Sequence, residues 1–319
     1  MLIDGKWVEE RQLQQKTDED GAYRRPVSSF RHWITPHGQA GPTGEGGFAA
    51  EAGRYHLYVA MVCPWACRTL ALRALKGLQD AISVSRVEAA LTDFGWKFPD
   101  DAERPDDRLP DVAYMHEIYT LADPDFTGRV TVPVLWDKAR GTVVNNESAD
   151  IIHMLNDGFG ELVPDAPDLR PKDMVGEIDA LNDRLLDNFN NGVYRAGFAT
   201  TQDAYEAAYG DVFDTLDFLD DSLSDGRPYL LGDRLTESDI RAFVTLVRFD
   251  AAYFGVFKCN RALVSDYVNL PSYVRRIQAL PGIAETVNLD HIKRGYYGIK
   301  WANPTGIVAV GPDLGWLGA

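Results

Sequence analysis

The stretch Tyr58–Leu75, YVAMVCPWACRTLALRAL, joins an apolar run to a helical one through Cys63 and Pro64. Tyrosine and valine enrichment in HLYVAMV predicts a strand. In ACRTLALRALKG, Leu70, Ala74 and Leu75 fall at helical spacing, and Gly77 ends the run. Pro64 suits the first helical position, where its missing N–H costs no hydrogen bond. Cys63 then stands beside free N–H groups and a helix dipole that favour a thiolate. A small buried thiol at a strand end fits the same place. A C-x-x-C dithiol would put its second cysteine at position 66, which is Ala66, and Cys67 lies one residue beyond. A reactive Cys63 would therefore act with one thiol of its own and take its redox partner from outside.

Downstream, ISVSRVE reads as a second strand and DFGWKFPDDAERPDDRLPD as an irregular insertion. A short helix near YMHEIYTLAD, a strand in VTVPVLWD, and an edge strand, turn and helix in GTVVNNESADIIHMLNDGF follow. That helix opens near Glu147 and Ser148, where N–H groups and the hydroxyl can take a carboxylate or simply cap the helix. The order β-α-β, insertion, β-β-α predicts a small α/β sheet domain over residues 54–165. Pro133 inside the third strand removes a ladder donor. A cis Val132–Pro133 bond that turns the backbone of Val132 outward, and a trans proline on an edge strand, fit equally well.

Residues 1–53 form an N-terminal extension. Its TPHGQAGPTGEGGFAAEAG reads as an exposed loop, while FRHWIT can tuck aromatics against a domain face. After VPDAPDLRP the character changes to long periodic segments. Tyr205, Tyr209, Val212, Leu216 and Leu219 recur at helical intervals. Thr236 with Asp239 forms a capping signal, and Leu235 with Ile240 a hydrophobic staple. Further helices are expected around 268–280 and 281–291. Residues 166–291 should be an all-helical bundle. The tail 292–319 is too rich in glycine and proline for helix.

Composition bounds the function. The chain has 319 residues and a formal net charge of −16, which argues against a general nucleic-acid binder. No run reaches the roughly 18 apolar residues of a membrane span, and the first residues lack a signal-peptide pattern. Three cysteines are an odd and sparse set that suits a reducing cytoplasm. They make no zinc site, and His116 and His153 lack ligand spacing, so no metal is expected.

CPWACR, DFGWKF and YRAGFAT, with SFRHWIT ahead of them and GYYGIKW in the tail, resemble the glutathionyl-hydroquinone reductases, the xi class of glutathione transferases. The resemblance covers nearly the whole chain. It implies a thioredoxin-like N-terminal domain, an all-α C-terminal domain, and a tail packing near the active site. It also implies glutathione as co-substrate, no metal, and an aromatic glutathionyl-hydroquinone as substrate. Cys63 would be the catalytic thiol. Trp96 would pack against glutathione, Arg129 and Glu147 would hold its charged ends with Ser148, and Val132 would pair with its cysteinyl backbone. Tyr194, Tyr253 and Tyr296 would line the quinone side. Read on their own, the tyrosines also suit a core and Arg129 suits a solvated surface. Tyr253, Phe254, Val256 and Phe257 suit an intramolecular core or partial burial in a partner, and the resemblance, to a family that pairs through the helical domain, implies a two-fold homodimer. An ordinary glutathione transferase would need a serine or tyrosine hydroxyl to activate glutathione, so Cys63 argues against it. A thioltransferase or dehydroascorbate reductase, and a non-catalytic glutathione-fold binding protein, are the competing readings.

Overall fold

The computed structural model describes residues 1–9, 17–102 and 105–318. The chain divides into two units: Met1–Gln14 with Val27–Pro167, and Gln15–Pro26 with Asp168–Ala319.

The first unit opens with a small antiparallel ladder of β1 (Leu2–Ile3) and β2 (Lys6–Trp7). Its main sheet contains β3 (Tyr55–Val59), β4 (Ile82–Arg86), β5 (Val134–Asp137) and β6 (Thr142–Asn145), in the order β4-β3-β5-β6. β3 pairs in parallel with β4, which requires a crossover, and α1 (Pro64–Leu75) supplies it. β3–β5 and β5–β6 are antiparallel. Two further helices, α2 (Met115–Ala122) and α3 (Ser148–His153), complete the thioredoxin-like arrangement. The Val132–Pro133 bond is cis, and the strand begins only after it, at Val134.

The N-terminal segment is built into this unit. Phe30 and Asn146 exchange backbone and side-chain bonds, and the His32 N–H donates to the Val144 carbonyl, so the segment runs along β6. Phe30 stacks on Phe126 and meets Tyr119 edge-on. The glycine-rich loop is largely exposed as expected, except that Phe48 is buried, stacked on His32 with the Arg140 guanidinium 4.6 Å from its ring. Backbone bonds from Thr35 to Phe48, Gly47 to Gly38 and Ala50 to Thr35 hold the segment together around this anchor.

The second unit is helical: α4 (Val175–Arg184), α5 (Gly192–Phe198), α6 (Gln202–Ser222), α7 (Glu237–Arg248), α8 (Phe254–Val256), α9 (Leu270–Gln278) and α10 (Leu289–Tyr297). Thr236 and Asp239 form the expected capping box on α7. Asp239 also accepts from the Leu230 N–H and the Tyr273 hydroxyl, so one buried carboxylate ties a loop and α9 to the start of α7. Two expectations for this unit fail. The helix expected over 281–291 does not form: residues 281–288 make a turn and a short 3-10 segment, Ala284–Thr286. The last helix instead opens at Leu289, with the Asn288 side chain accepting from the His291 N–H, and it carries Gly295 through to Tyr297. Capping and the buried face of Ile292, Tyr296 and Tyr297 outweigh the propensity cost of one glycine, about 1 kcal/mol. Tyr253, Val256 and Phe257 are buried within the unit itself, while Phe254 is half-buried. No helix among the described residues is long and apolar enough to cross a membrane.

Candidate active site

In the first unit, β3 ends at Val59 and a tight turn closes with the Cys63 N–H donating to the Ala60 carbonyl. Cys63 is the N-cap of α1: its backbone is extended, its carbonyl accepts the first helical bond from the Cys67 N–H, and Pro64 follows at the first helical position. Its sulfur makes no capping bond to the helix. The thiol is half-buried and lies 3.5 Å from the Val132 carbonyl, the residue before the cis proline. All three cysteines are thiols. Cys67 and Cys259 are buried, and burial pushes the Cys259 thiol up to about 12, which keeps it protonated near neutral pH. Ala66 is buried as well, so no resolving cysteine stands beside Cys63.

Glu147 and Ser148 begin α3. Glu147 caps it by accepting from the Ala149 N–H at 3.1 Å and also accepts from the Ser28 hydroxyl at 2.8 Å. Burial opposes charge on this carboxyl, but Arg68, these donors and Arg31 outweigh it and hold it below the usual glutamate range. Arg68, on α1, is 1% exposed, and its Nε and Nη2 donate to Ser148 Oγ at 3.1 and 2.7 Å. Its Nη2 is 3.6 Å from Glu147 Oε1. Arg31 pairs with Asp150 on the same helix.

Trp96 is half-buried in a tight loop where Thr92 and Gly95 exchange backbone bonds, and its carbonyl accepts from the Met115 N–H at the start of α2. Gly95 has φ +82° and a Cβ there would sit 2.8 Å from the Trp7 ring, so glycine is required on both counts. Arg129 is half-buried directly after Gly128, which pairs with Leu2.

The second unit gathers the three expected tyrosines. Tyr194 lies on α5, Tyr253 in the π-helical turn Phe249–Tyr253 after α7, and Tyr296 in the last turn of α10. Tyr296 Oη is 2.6 Å from Tyr194 Oη and 2.9 Å from Tyr253 Oη. Phe257 packs among all three rings with centroid distances of 5.5 Å, and Gly197 lets it do so, since a Cβ there would lie 2.3 Å from the Phe257 ring. Burial, with the neighbouring phenols Tyr194 and Tyr253, holds Tyr296 well above the usual phenol range, so it stays a donor. Tyr194 is half-buried, and the Arg25 guanidinium lies 5.1 Å from its ring. The tail returns to its own unit through Trp301, edge-on to Phe198.

Comparison with known proteins fits this geometry. Models of the glutathione S-transferase N-terminal and C-terminal domains match residues 62–157 and 202–276. The glutathionyl-hydroquinone reductase YqjG of Escherichia coli K12 is 49% identical over 313 residues, 98% of this chain and 94% of that protein. The glutathionyl-hydroquinone reductase PcpF of Sphingobium chlorophenolicum is 47% identical over 98% of this chain and 96% of that protein. The chain belongs to the xi class of glutathione transferases, the glutathionyl-hydroquinone reductases. The glutathione-bound structure of YqjG superposes with a TM-score of 0.89 at 46% identity, covering 99% of this chain and 97% of that one. The Xi glutathione transferase of Phanerochaete chrysosporium gives 0.86 at 44% identity, covering 94% and 95%.

Sequence reasoning missed four residues that contact the expected site residues within each unit. Arg68 is the last residue of CPWACR, but nothing local shows that its partner is Ser148. Ser28 precedes FRHWIT and reaches Glu147 across 119 positions. Arg25 and Phe257 flank the tyrosines from segments that carry no motif of their own. Among the described residues no cluster of three or more metal-ligating side chains occurs.

Proposed function

We propose that the protein uses glutathione to reduce aromatic glutathionyl-hydroquinones to hydroquinones. The observation that carries the reading is the half-buried Cys63 at the N-cap of α1 with Ala66 in the resolving position, in a chain so close to two proteins named for this activity. Cys63 thiolate attacks the glutathionyl sulfur. The carbon–sulfur bond breaks, its electron pair goes to the ring carbon, and that carbon takes a proton. A Cys63–glutathione disulfide forms. A second glutathione thiolate attacks it, regenerating the Cys63 thiolate and releasing oxidised glutathione. One glutathionyl-hydroquinone and one glutathione thus give one hydroquinone and one oxidised glutathione.

Trp96, Arg129, Val132, Glu147 and Ser148 bind glutathione in this reading. Glu147 takes the amine, Arg129 and Ser148 take carboxylates, and the Val132 backbone pairs with the cysteinyl unit. Tyr194, Tyr253 and Tyr296 receive the aromatic ring, their hydroxyls meeting its oxygens. A panel of glutathionyl-hydroquinones assayed for oxidised glutathione tests the function. Release from a small glutathione mixed disulfide, with none from any ring substrate, would favour a thioltransferase instead.

Arg129→Ala should weaken glutathione use by about ten- to hundredfold, because a bond to a charged group contributes about 1.5–3 kcal/mol. Unchanged glutathione dependence would leave Arg129 as surface only. The reading also includes a two-fold homodimer through the helical unit, the commonest closed assembly. Sedimentation equilibrium at micromolar concentration should then give about twice the 35.5 kDa chain mass, and a monomer mass would reject it.

A further inference from the structure

We propose that Arg68 is a positioning residue for glutathione that acts by fixing the Ser148 hydroxyl as a donor. The proposal rests on the glutathione site described above and adds a residue to it. Arg68 places two N–H groups on Ser148 Oγ, at 3.1 and 2.7 Å. A guanidinium has donors only, so the oxygen accepts both bonds. A hydroxyl oxygen has two lone pairs and one proton. Both lone pairs are engaged, and the proton is what Ser148 has left to offer.

No acceptor for that proton stands among the described residues, although Ser148 is only 4% exposed. A buried donor in that state calls for an acceptor. The fitting group is one that only accepts, and a carboxylate of glutathione is such a group. The charge behind the hydroxyl strengthens the bond, because a cation on the oxygen polarises the O–H. Glu147 completes the arrangement. Its Oε1 lies 3.6 Å from Arg68 Nη2 and balances the buried cation, while its other bonds go to Ala149 and Ser28. The Ser148 proton is not spent on it.

A purely structural Arg68 would tie α1 to α3 and do nothing more. The two roles differ in how Arg68 and Ser148 combine. If Arg68 acts through Ser148, removing the hydroxyl removes the reason for the guanidinium. If Arg68 only braces the helices, the two changes act separately on binding.

The experiment titrates S-methylglutathione, which has no free thiol for exchange, into wild type, Arg68→Met, Arg68→Lys, Ser148→Ala and both double variants by calorimetry. Melting curves run in parallel. Arg68→Met and Ser148→Ala should each weaken binding about ten- to hundredfold. Arg68→Lys should lose less, since it keeps the charge and one donor. In the Ser148→Ala background, either Arg68 change should cost less than about threefold more. Should Arg68→Met not fold, the Arg68→Lys pair carries the same comparison. Wild-type affinity in the Arg68 variants, or losses that multiply in the doubles, would overturn the role. A wild-type protein that binds no S-methylglutathione would overturn the glutathione reading and this proposal with it.

Discussion

Turnover of glutathionyl-hydroquinone should fall to background in Cys63→Ala, a loss of roughly 10⁴-fold or more, as when the nucleophile of a covalent mechanism is removed. The fold and much of the glutathione affinity should survive. Alanine keeps the Ala60 turn and the first helical bond, since both use the backbone of residue 63, and the sulfur makes no cap bond to lose. No other thiol can step in. Cys67 is fully buried one turn along α1, and Cys259 is buried in the other unit with its thiol held protonated. Wild-type protein given substrate but no added glutathione should stop after the first step. Intact and peptide mass spectrometry should then find one glutathione on Cys63. Alkylation near neutral pH should likewise mark Cys63 ahead of both buried thiols. An adduct on Cys67, or full activity without the Cys63 sulfur, would end the one-thiol mechanism.

What could be read from the sequence was what is decided locally. A strand running toward Pro64 at the first helical position places Cys63 at the helix start, and the structure keeps that placement with the strand ending at Val59 and a turn between. The Thr236–Asp239 box is local in the same way. Failures came where distant residues decide. Gly295 and Gly298 argued against helix in the tail, yet Asn288 caps that helix from before the tail begins, and burial of Tyr296 holds its end. Gly298 serves as its C-cap. Arg68 sits mid-helix as an arginine among small and apolar residues, which reads as an exposed charge. Its burial follows from Ser148, 80 positions away. Phe48 reads as part of a glycine-rich loop, and only His32 and Arg140 make it an anchor. Proline chemistry fell between the two cases. Pro133 marks an irregularity in the sequence but leaves cis and trans open; the bond is cis, and the Val132 carbonyl lies at the Cys63 sulfur.

Tyr296→Phe should slow cleavage of glutathionyl-hydroquinones by about 10- to 100-fold in kcat/KM, the range of one lost proton donor or charge-assisted bond. Reduction of a small glutathione mixed disulfide should stay within about twofold. Tyr296 is the hub of the trio, bonded to both Tyr194 and Tyr253. Removing the hub hydroxyl breaks both bonds and lets the outer two phenols turn. Tyr194→Phe and Tyr253→Phe each break one bond and should cost less. The hub is suited to this work because Tyr296 stays protonated: burial, with Tyr194 and Tyr253 beside it, holds its phenol well above the usual range. The ring oxygens of a hydroquinone, or the carbonyl of its keto form, can accept from such a donor as the carbon–sulfur bond breaks. A mixed disulfide leaves as a thiolate and needs no such contact. If the tyrosines serve only as core, all three variants would lower the melting temperature, since each strands a buried hydroxyl partner, and both activities would hold. Parallel loss of both activities would point instead to a disturbed thiol site. Only a selective loss with the ring substrate assigns the phenols to substrate, and with that assignment the hydroquinone class rests on the chain's own residues as well as on its relatives.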